Sequence, residues 1–242
     1  MISFLANILG SLLRSVYGIV SGMGSEPASI SFLAISIILT TIIFKVLLLP
    51  LNIMQTKSQM KMARLQPKIQ ALQDKYGNDK QTFAKKQQEL FQESGYNPML
   101  GCLPLLIQLP IIIAFYRIFQ FPTQFAFTDA AFYDSIQKNF FFIKDLDVAD
   151  PTGLVLPLIA AGFTWLTSYL TQHNAAQKAM SNPQSQSTMN TMMMMMPVMI
   201  FFFSRRMAAG VVLYWIVSNL FTLVQQYISN VIIAKEAQEE LS

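Results

Sequence analysis

Long runs of this chain contain almost no residue that prefers water. The run from Ser31 to Leu51 is interrupted by one charge, Lys45, and similar runs cover Met99 to Phe119, Gly153 to Leu170, Met189 to Phe203 and Gly210 to Ile233. A hydrocarbon core about 30 Å thick is crossed by roughly 20 apolar residues in a helix. A helix also satisfies each backbone N–H and C=O within its own segment, which lipid cannot do. The chain is therefore read as an all-α membrane protein of about five transmembrane helices, spanning about 31–51, 99–119, 153–170, 189–203 and 210–233. Composition agrees: 53% of the 242 residues are hydrophobic and 12% charged, against about 25% charged in a soluble domain. Little chain remains outside the spans. We expect one five-span membrane core over residues 25–242, carrying a helical hairpin at 55–96, behind a separate segment at 1–24.

That first segment is apolar like a signal peptide but lacks its parts. No Lys or Arg precedes the apolar stretch, and no A-x-A site follows it. Leu5, Ile8, Leu12, Val16 and Ile19 recur at helical spacing, with Asn7, Ser11, Arg14 and Ser15 on other faces. This pattern predicts an amphipathic helix lying in the membrane interface. A retained signal anchor is the alternative.

Orientation follows from where Lys and Arg collect. The segment after the first span holds Lys57, Lys61, Arg64, Lys68, Lys75, Lys80, Lys85 and Lys86. The segment after the second holds Lys138 and Lys144 beside Asp129, Asp134, Asp145, Asp147 and Asp150. The first is expected in the cytoplasm and the second outside, with the N-terminus outside and the C-terminus inside. Arg205 and Arg206 then fall on the external side, against the rule.

The basic segment itself reads as two helical arms. Met62, Leu65, Ile69, Leu72 and Tyr76 step by three and four, as a packed seam does. Tyr76-Gly77-Asn78-Asp79 has turn chemistry, and Pro67 is expected to distort the first arm. Lys57, Lys61, Arg64, Lys68 and Lys75 project together as a basic face. Anionic lipid, ribosomal RNA or an acidic protein would suit it; so would a solvated arm that only sets topology.

Lys45 is the sharpest single feature. A charge inside a span costs several kcal/mol unless it is paired, hydrated or able to snorkel. The fifth span carries Tyr214, Ser218, Thr222, Gln225 and Ser229 as one polar face, and the third carries Thr164, Thr167, Ser168 and Thr171. Lys45 and these stripes could line one hydrated groove, or the hydroxyls could serve helix packing. No acidic residue lies inside any span, which argues against ion-coupled transport and leaves the cation for an acidic guest. Met189, Met192 to Met196 and Met199 suit adaptable apolar contact or plain lipid exposure. Cys102 has no disulfide partner in the chain, and His173 has no Cys or His at metal-ligand spacing. No phosphate loop, nucleotide fingerprint or zinc motif is present. We therefore expect no catalytic residues, metal, cofactor or DNA partner. A solute channel using the same stripes is the competing class.

Three segments resemble one family. Asn97-Pro98-Met99-Leu100-Gly101-Cys102-Leu103-Pro104-Leu105-Leu106-Ile107-Gln108-Leu109-Pro110 is similar to the second-span signature of YidC/Oxa/Alb membrane insertases. Leu65-Gln66-Pro67-Lys68-Ile69-Gln70 resembles their hairpin. Gly210 through Asn219, followed by Gln225-Gln226, resembles their fifth span. The resemblance implies five helices around a hydrophilic groove, open to the cytoplasm and to lipid and closed outside. It implies a multi-pass protein of the bacterial cytoplasmic membrane that inserts small membrane proteins, alone or with the Sec translocon, without covalent chemistry. Nascent membrane proteins, the ribosome, the translocon and membrane lipid are the implied partners. Lys45 matches the groove cation, usually Arg, keeping its charge without the bidentate fork. Gln108, Ser168, Tyr214, Trp215, Ser218, Thr222 and Gln225 are the implied groove and slide residues. Neither a lipoprotein signal nor the large external domain of some relatives is seen, a short form similar to that of bacteria without an outer membrane.

Overall fold

The computed structural model describes residues 2–97, 99–173 and 195–239, and these are helical with no β-strand. In chain order the helices are α1 (Ile2–Ser21), α2 (Phe32–Leu47), α3 (Leu49–Tyr76), α4 (Lys80–Ser94), α5 (Met99–Gln120), α6 (Pro122–Phe125), α7 (Ala130–Ser135) and α8 (Val155–His173). A short apolar helix α9 (Met195–Ser204) and the long α10 (Ala209–Glu239) complete the order. Met189, Met192, Met193 and Met194 lie outside the described residues.

α10 is the hub. It packs on α8, α2 and α5, and Val211, Val212, Leu213 and Tyr214 are buried among Leu33 and Ile37 of α2 and Phe115 and Ile118 of α5. Close approach needs a small residue here. A Cβ on Gly210 would fall 2.0 Å from the Phe119 ring, so glycine lets the aromatic seat directly on the helix backbone. One turn on, the Tyr214 ring stacks on Phe115 with centroids 4.1 Å apart.

Residues 126–153 fold over one end of this bundle. Backbone bonds tie them to the start of α2, from Ser31 N–H to Asn139 O at 2.8 Å, and to the start of α10, from Gly210 N–H to Leu146 O at 2.9 Å. Ile143 and Leu146 are fully buried beneath. Lys138 pairs with Asp147 at 2.7 Å, and the Tyr133 hydroxyl donates to the same carboxylate at 2.5 Å. This is the cap end. The hairpin α3–α4 follows the opposite end of α2.

α1 is long and apolar enough to cross a membrane by composition, yet both its ends sit at the cap end. Arg117, in the last turn of α5, donates to Ser3 at 3.1 Å. Tyr17 packs edge-on to Phe127. About 21 Å of helix at about 1.5 Å per residue therefore runs along the cap end. Ala6, Leu9, Leu13 and Tyr17 face the bundle, while Asn7, Ser11, Arg14 and Ser15 are exposed. The exposed side is mixed, since Phe4, Ile8 and Ile19 also lie on it.

The structure adds three details to the expected helices. The first apolar run is not one straight span: α2 ends at Leu47 and α3 leaves at 55°. Pro50 supplies the reason, since it has no N–H for the carbonyl of Val46 and its ring crowds that carbonyl. Pro67, expected to distort the first arm, lies inside α3, which runs on through it, with the ring on an exposed face. The last helix continues past Ile233 to Glu239. At about 46 Å it exceeds a hydrocarbon core of about 30 Å.

Candidate functional site: a polar seam between α2 and α10

α2 and α10 both start at the cap end and run side by side. Lys45 and Thr222 each lie about 20 Å along their helices at about 1.5 Å per residue, so they share one level. There the Lys45 ammonium donates to Thr222 Oγ1 at 3.4 Å, and Thr222 donates on to the Ser218 carbonyl at 2.8 Å. Neither ion pair found among the described residues involves Lys45. One turn further, beyond the bend, the Asn52 amide donates to Gln225 Oε1 at 3.2 Å. The seam thus runs Thr222, Lys45, Gln225, Asn52, all half-buried, with the buried Ser218 lending its backbone carbonyl.

Other members of the sequence-derived set face different neighbours. Gln108 on α5 donates to the Tyr214 hydroxyl at 2.9 Å, and Tyr214 is 1% exposed. The Trp215 indole N–H donates to Thr164 Oγ1 on α8 at 2.9 Å. Ser168, one turn below Thr164, is half-buried. The polar face of α10 is therefore divided: Tyr214 to α5, Trp215 to α8, Thr222 and Gln225 to α2 and α3. Only the last two stand with Lys45.

Sequence reasoning passed over several polar residues. Ser36, Thr40 and Thr41 are buried on α2, and with Lys45 they repeat at helical spacing, which could have revealed them. Thr40 Oγ1 makes no hydrogen bond; neither do Gln55 Nε2 and Ser58 Oγ on α3, although all three atoms are buried. Asn52 gave no signal, because its role depends on the bend at Leu48.

The hairpin arms pack on each other, and α3 also packs on α5. Leu65 and Ile69 are buried in the seam. Asp79 caps α4, accepting from the backbone N–H groups of Gln81 and Thr82, and a bond from the Thr82 hydroxyl, followed by these backbone bonds, holds its carboxyl below the usual range. Gly95 ends α4 in the left-handed region at φ 60, where glycine carries no Cβ penalty. Its carbonyl accepts from Lys61 at 3.0 Å. Lys57, Lys61, Arg64, Lys68 and Lys75 are all exposed.

The family model for the 60Kd inner membrane protein matches residues 28–236. The chain belongs to this family, the YidC/Oxa/Alb insertases. It is 34% identical over 236 residues to the membrane protein insertase YidC of Clostridium perfringens, covering 98% of this chain and 94% of that protein. It is 38% identical over 214 residues to YidC 1 of Listeria monocytogenes, covering 86% and 68%. An insertase of Actinobacillus succinogenes is 35% identical over 223 residues, but only 36% of its length is matched. The fold is similar to a crystal structure of an active YidC insertase with its first transmembrane domain resolved, at a TM-score of 0.60 and 24% identity, covering 92% of this chain and 45% of that one. Its family and its apolar helices make the chain an integral membrane protein of bacterial type.

Proposed function

We propose that the chain is a membrane protein insertase and that the seam centred on Lys45 receives the polar or acidic end of an incoming membrane protein. The observation that carries this reading is a half-buried ammonium at mid-bundle whose hydrogen-bond partner is a neutral hydroxyl, Thr222 Oγ1. A cation held without a carboxylate is costly inside a membrane protein, and an acidic guest supplies the missing charge. The buried polar atoms of Thr40, Gln55 and Ser58 support the same reading, since each stays costly by about 1–3 kcal/mol until water or a guest pairs it. A polar path partway through the bilayer lowers the desolvation barrier for a translocating tail. The membrane potential adds about 2.3 kcal/mol per charge per 100 mV for acidic tails.

In this reading the hairpin 55–96 faces the cytoplasm and the cap end lies outside. The exposed basic face of α3 meets the ribosome, the translocon or an acidic substrate, and insertion proceeds alone or with the Sec translocon. Thr222, Gln225, Ser218 and Ser168 contact the guest, and its apolar segment leaves along α8 and α10 into lipid. A specific observation favours a different role for Gln108, Tyr214 and Trp215. Their polar groups are already engaged between helices at 2.9 Å, so they hold the α5–α10 and α8–α10 contacts that shape the path.

The test is complementation of an insertase-depleted bacterium with wild type and with Lys45→Arg, Lys45→Gln and Lys45→Glu. Rescue by wild type and Lys45→Arg, with growth and insertion lost in the other two, is the expected result. Equal rescue by all four would remove Lys45 from the mechanism.

A further inference from the structure

An open polar cavity lies at the cap end, between α1 and α6, away from the α2–α10 seam. It has a volume of about 450 Å³ and is lined chiefly by Asn7, Ser11, Arg14 and Ser15 of α1 with Gln124 and Thr128. The cavity exists because α1 seats so closely on α6: a Cβ on Gly10 would fall 2.0 Å from the Phe125 carbonyl oxygen. The exposed polar stripe of α1 thereby forms one wall of an open groove.

The lining holds one cation and no carboxylate. Arg14 donates one hydrogen bond, to Thr128 Oγ1 at 3.3 Å, and neither ion pair among the described residues includes it. Glu26, the acid nearest Arg14 in sequence, accepts from the Phe32 backbone N–H, and Asp129, next to Thr128, accepts from the Phe132 backbone N–H at 3.2 Å to cap α7. The rest of the Arg14 fork is thus available, in the planar geometry that suits a phosphate. The Ser, Asn, Gln and Thr side chains around it both donate and accept, which suits the hydroxyls of a polyol. On the flank of α1, Phe4, Ile8 and Ile19 are 69%, 45% and 66% exposed. A cation beside neutral hydrogen-bonding groups, bordered by apolar side chains on an interfacial helix, matches a molecule with a charged head and hydrocarbon tails.

We infer that this cavity binds the headgroup of an anionic phospholipid, with Arg14 on the phosphate, Ser11, Asn7 and Gln124 on the polyol, and the acyl chains along Ile8 and Ile19. The bound lipid fastens α1 to the outer rim of the bundle. The test uses the purified full chain, delipidated in detergent and titrated with phosphatidylglycerol or phosphatidylcholine, with retained lipid read by native mass spectrometry. Wild type is expected to retain one phosphatidylglycerol per chain, with about a tenfold loss in Arg14→Gln, as one charge-assisted phosphate contact implies, and to hold phosphatidylcholine more weakly, because choline brings a cation toward Arg14 and no hydroxyl to the polar lining. Ser11→Leu, which fills the cavity without changing charge, is expected to lose binding too, with both variants melting as wild type does. Equal retention of the two lipids, or unchanged binding by Arg14→Gln, would overturn the assignment. Displacement of the lipid by millimolar inorganic phosphate would overturn its lipid source in favour of a free anion.

Discussion

At the scale of single residues, polar groups inside the bundle divide by whether a neighbour already satisfies them. Tyr214 and Gln108 are paired with each other, and Tyr214 is buried. Replacing Tyr214 by Phe keeps the stack on Phe115 but strands the Gln108 amide. We expect a loss of about 0.6 kcal/mol and at most about 1.7, the range for such bonds in membrane bundles, read as a lower melting temperature in detergent. Adding Gln108→Leu should recover much of that loss. Lys45 should behave in the opposite way. Its charge is held by one hydroxyl, so Lys45→Met should raise the melting temperature while insertion falls at least about tenfold, the trade-off expected where a site stores strain for function. If Lys45→Met lowers both, the residue is a packing element. Lys45 was legible from sequence because a lone charge in an apolar run is rare. Asn52 was not, because its contact with Gln225 exists only once the chain bends at Leu48. Nor could the sequence say that the polar face of α10 serves three neighbours, since periodicity reports a face and not what covers it.

Whole elements follow the same logic. The turn chemistry of Gly77 to Asp79 stands where α3 gives way to α4, because a local signal needs no tertiary information to act. The bend at Leu48 was missed for the converse reason. Pro50 is compatible with the first turn of a new helix as well as with the end of an apolar run, and only packing of α3 on α4 and α5 decides between them. α1 illustrates an element whose composition permits two placements. Its length and apolarity allow a span, but its contacts keep both ends on the cap. Two glycines one face apart probe that docking. Gly10 meets the Phe125 backbone, whereas Gly18 has nothing within 4 Å of its Cβ position. Gly10→Val should lift α1 from α6 and expose residues 1–21 to limited proteolysis. Gly18→Ala should leave cleavage unchanged and stabilise the helix by roughly 0.5–1 kcal/mol. Equal protease resistance in both variants would mean that α1 is held by something other than this contact.

The whole molecule is asymmetric from end to end. The hairpin end carries exposed cations on both arms, five on α3 and Lys80 and Lys85 on α4, while the cap end is closed around the part-buried Lys138–Asp147 pair and the buried, hydrogen-bonded Asp150. That closure should give stability a pH dependence with two limbs. Burial raises the Asp150 carboxyl, but bonds from the Leu156 backbone N–H and from the Thr152 hydroxyl and backbone N–H outweigh it, leaving the carboxyl below its usual range. A depressed carboxyl contributes stability above its unfolded value near 4, lost as pH falls through the lower folded value. Tyr133 is pushed up, first by burial and then by the charge of Asp147 beside it. A phenol with a raised folded value contributes stability below its unfolded value near 10, lost as pH rises beyond that. Melting temperature measured against pH should therefore fall on both sides of a plateau. Asp150→Asn should flatten the acid limb alone and Tyr133→Phe the alkaline limb alone, since the two groups sit in separate hydrogen-bond sets. Were either substitution to flatten both limbs, the cap would be melting as one unit with a shared network. Were Asp150→Asn to leave the acid limb unchanged, that limb would arise at the hairpin end, where Asp79 and Glu89 are depressed carboxyls.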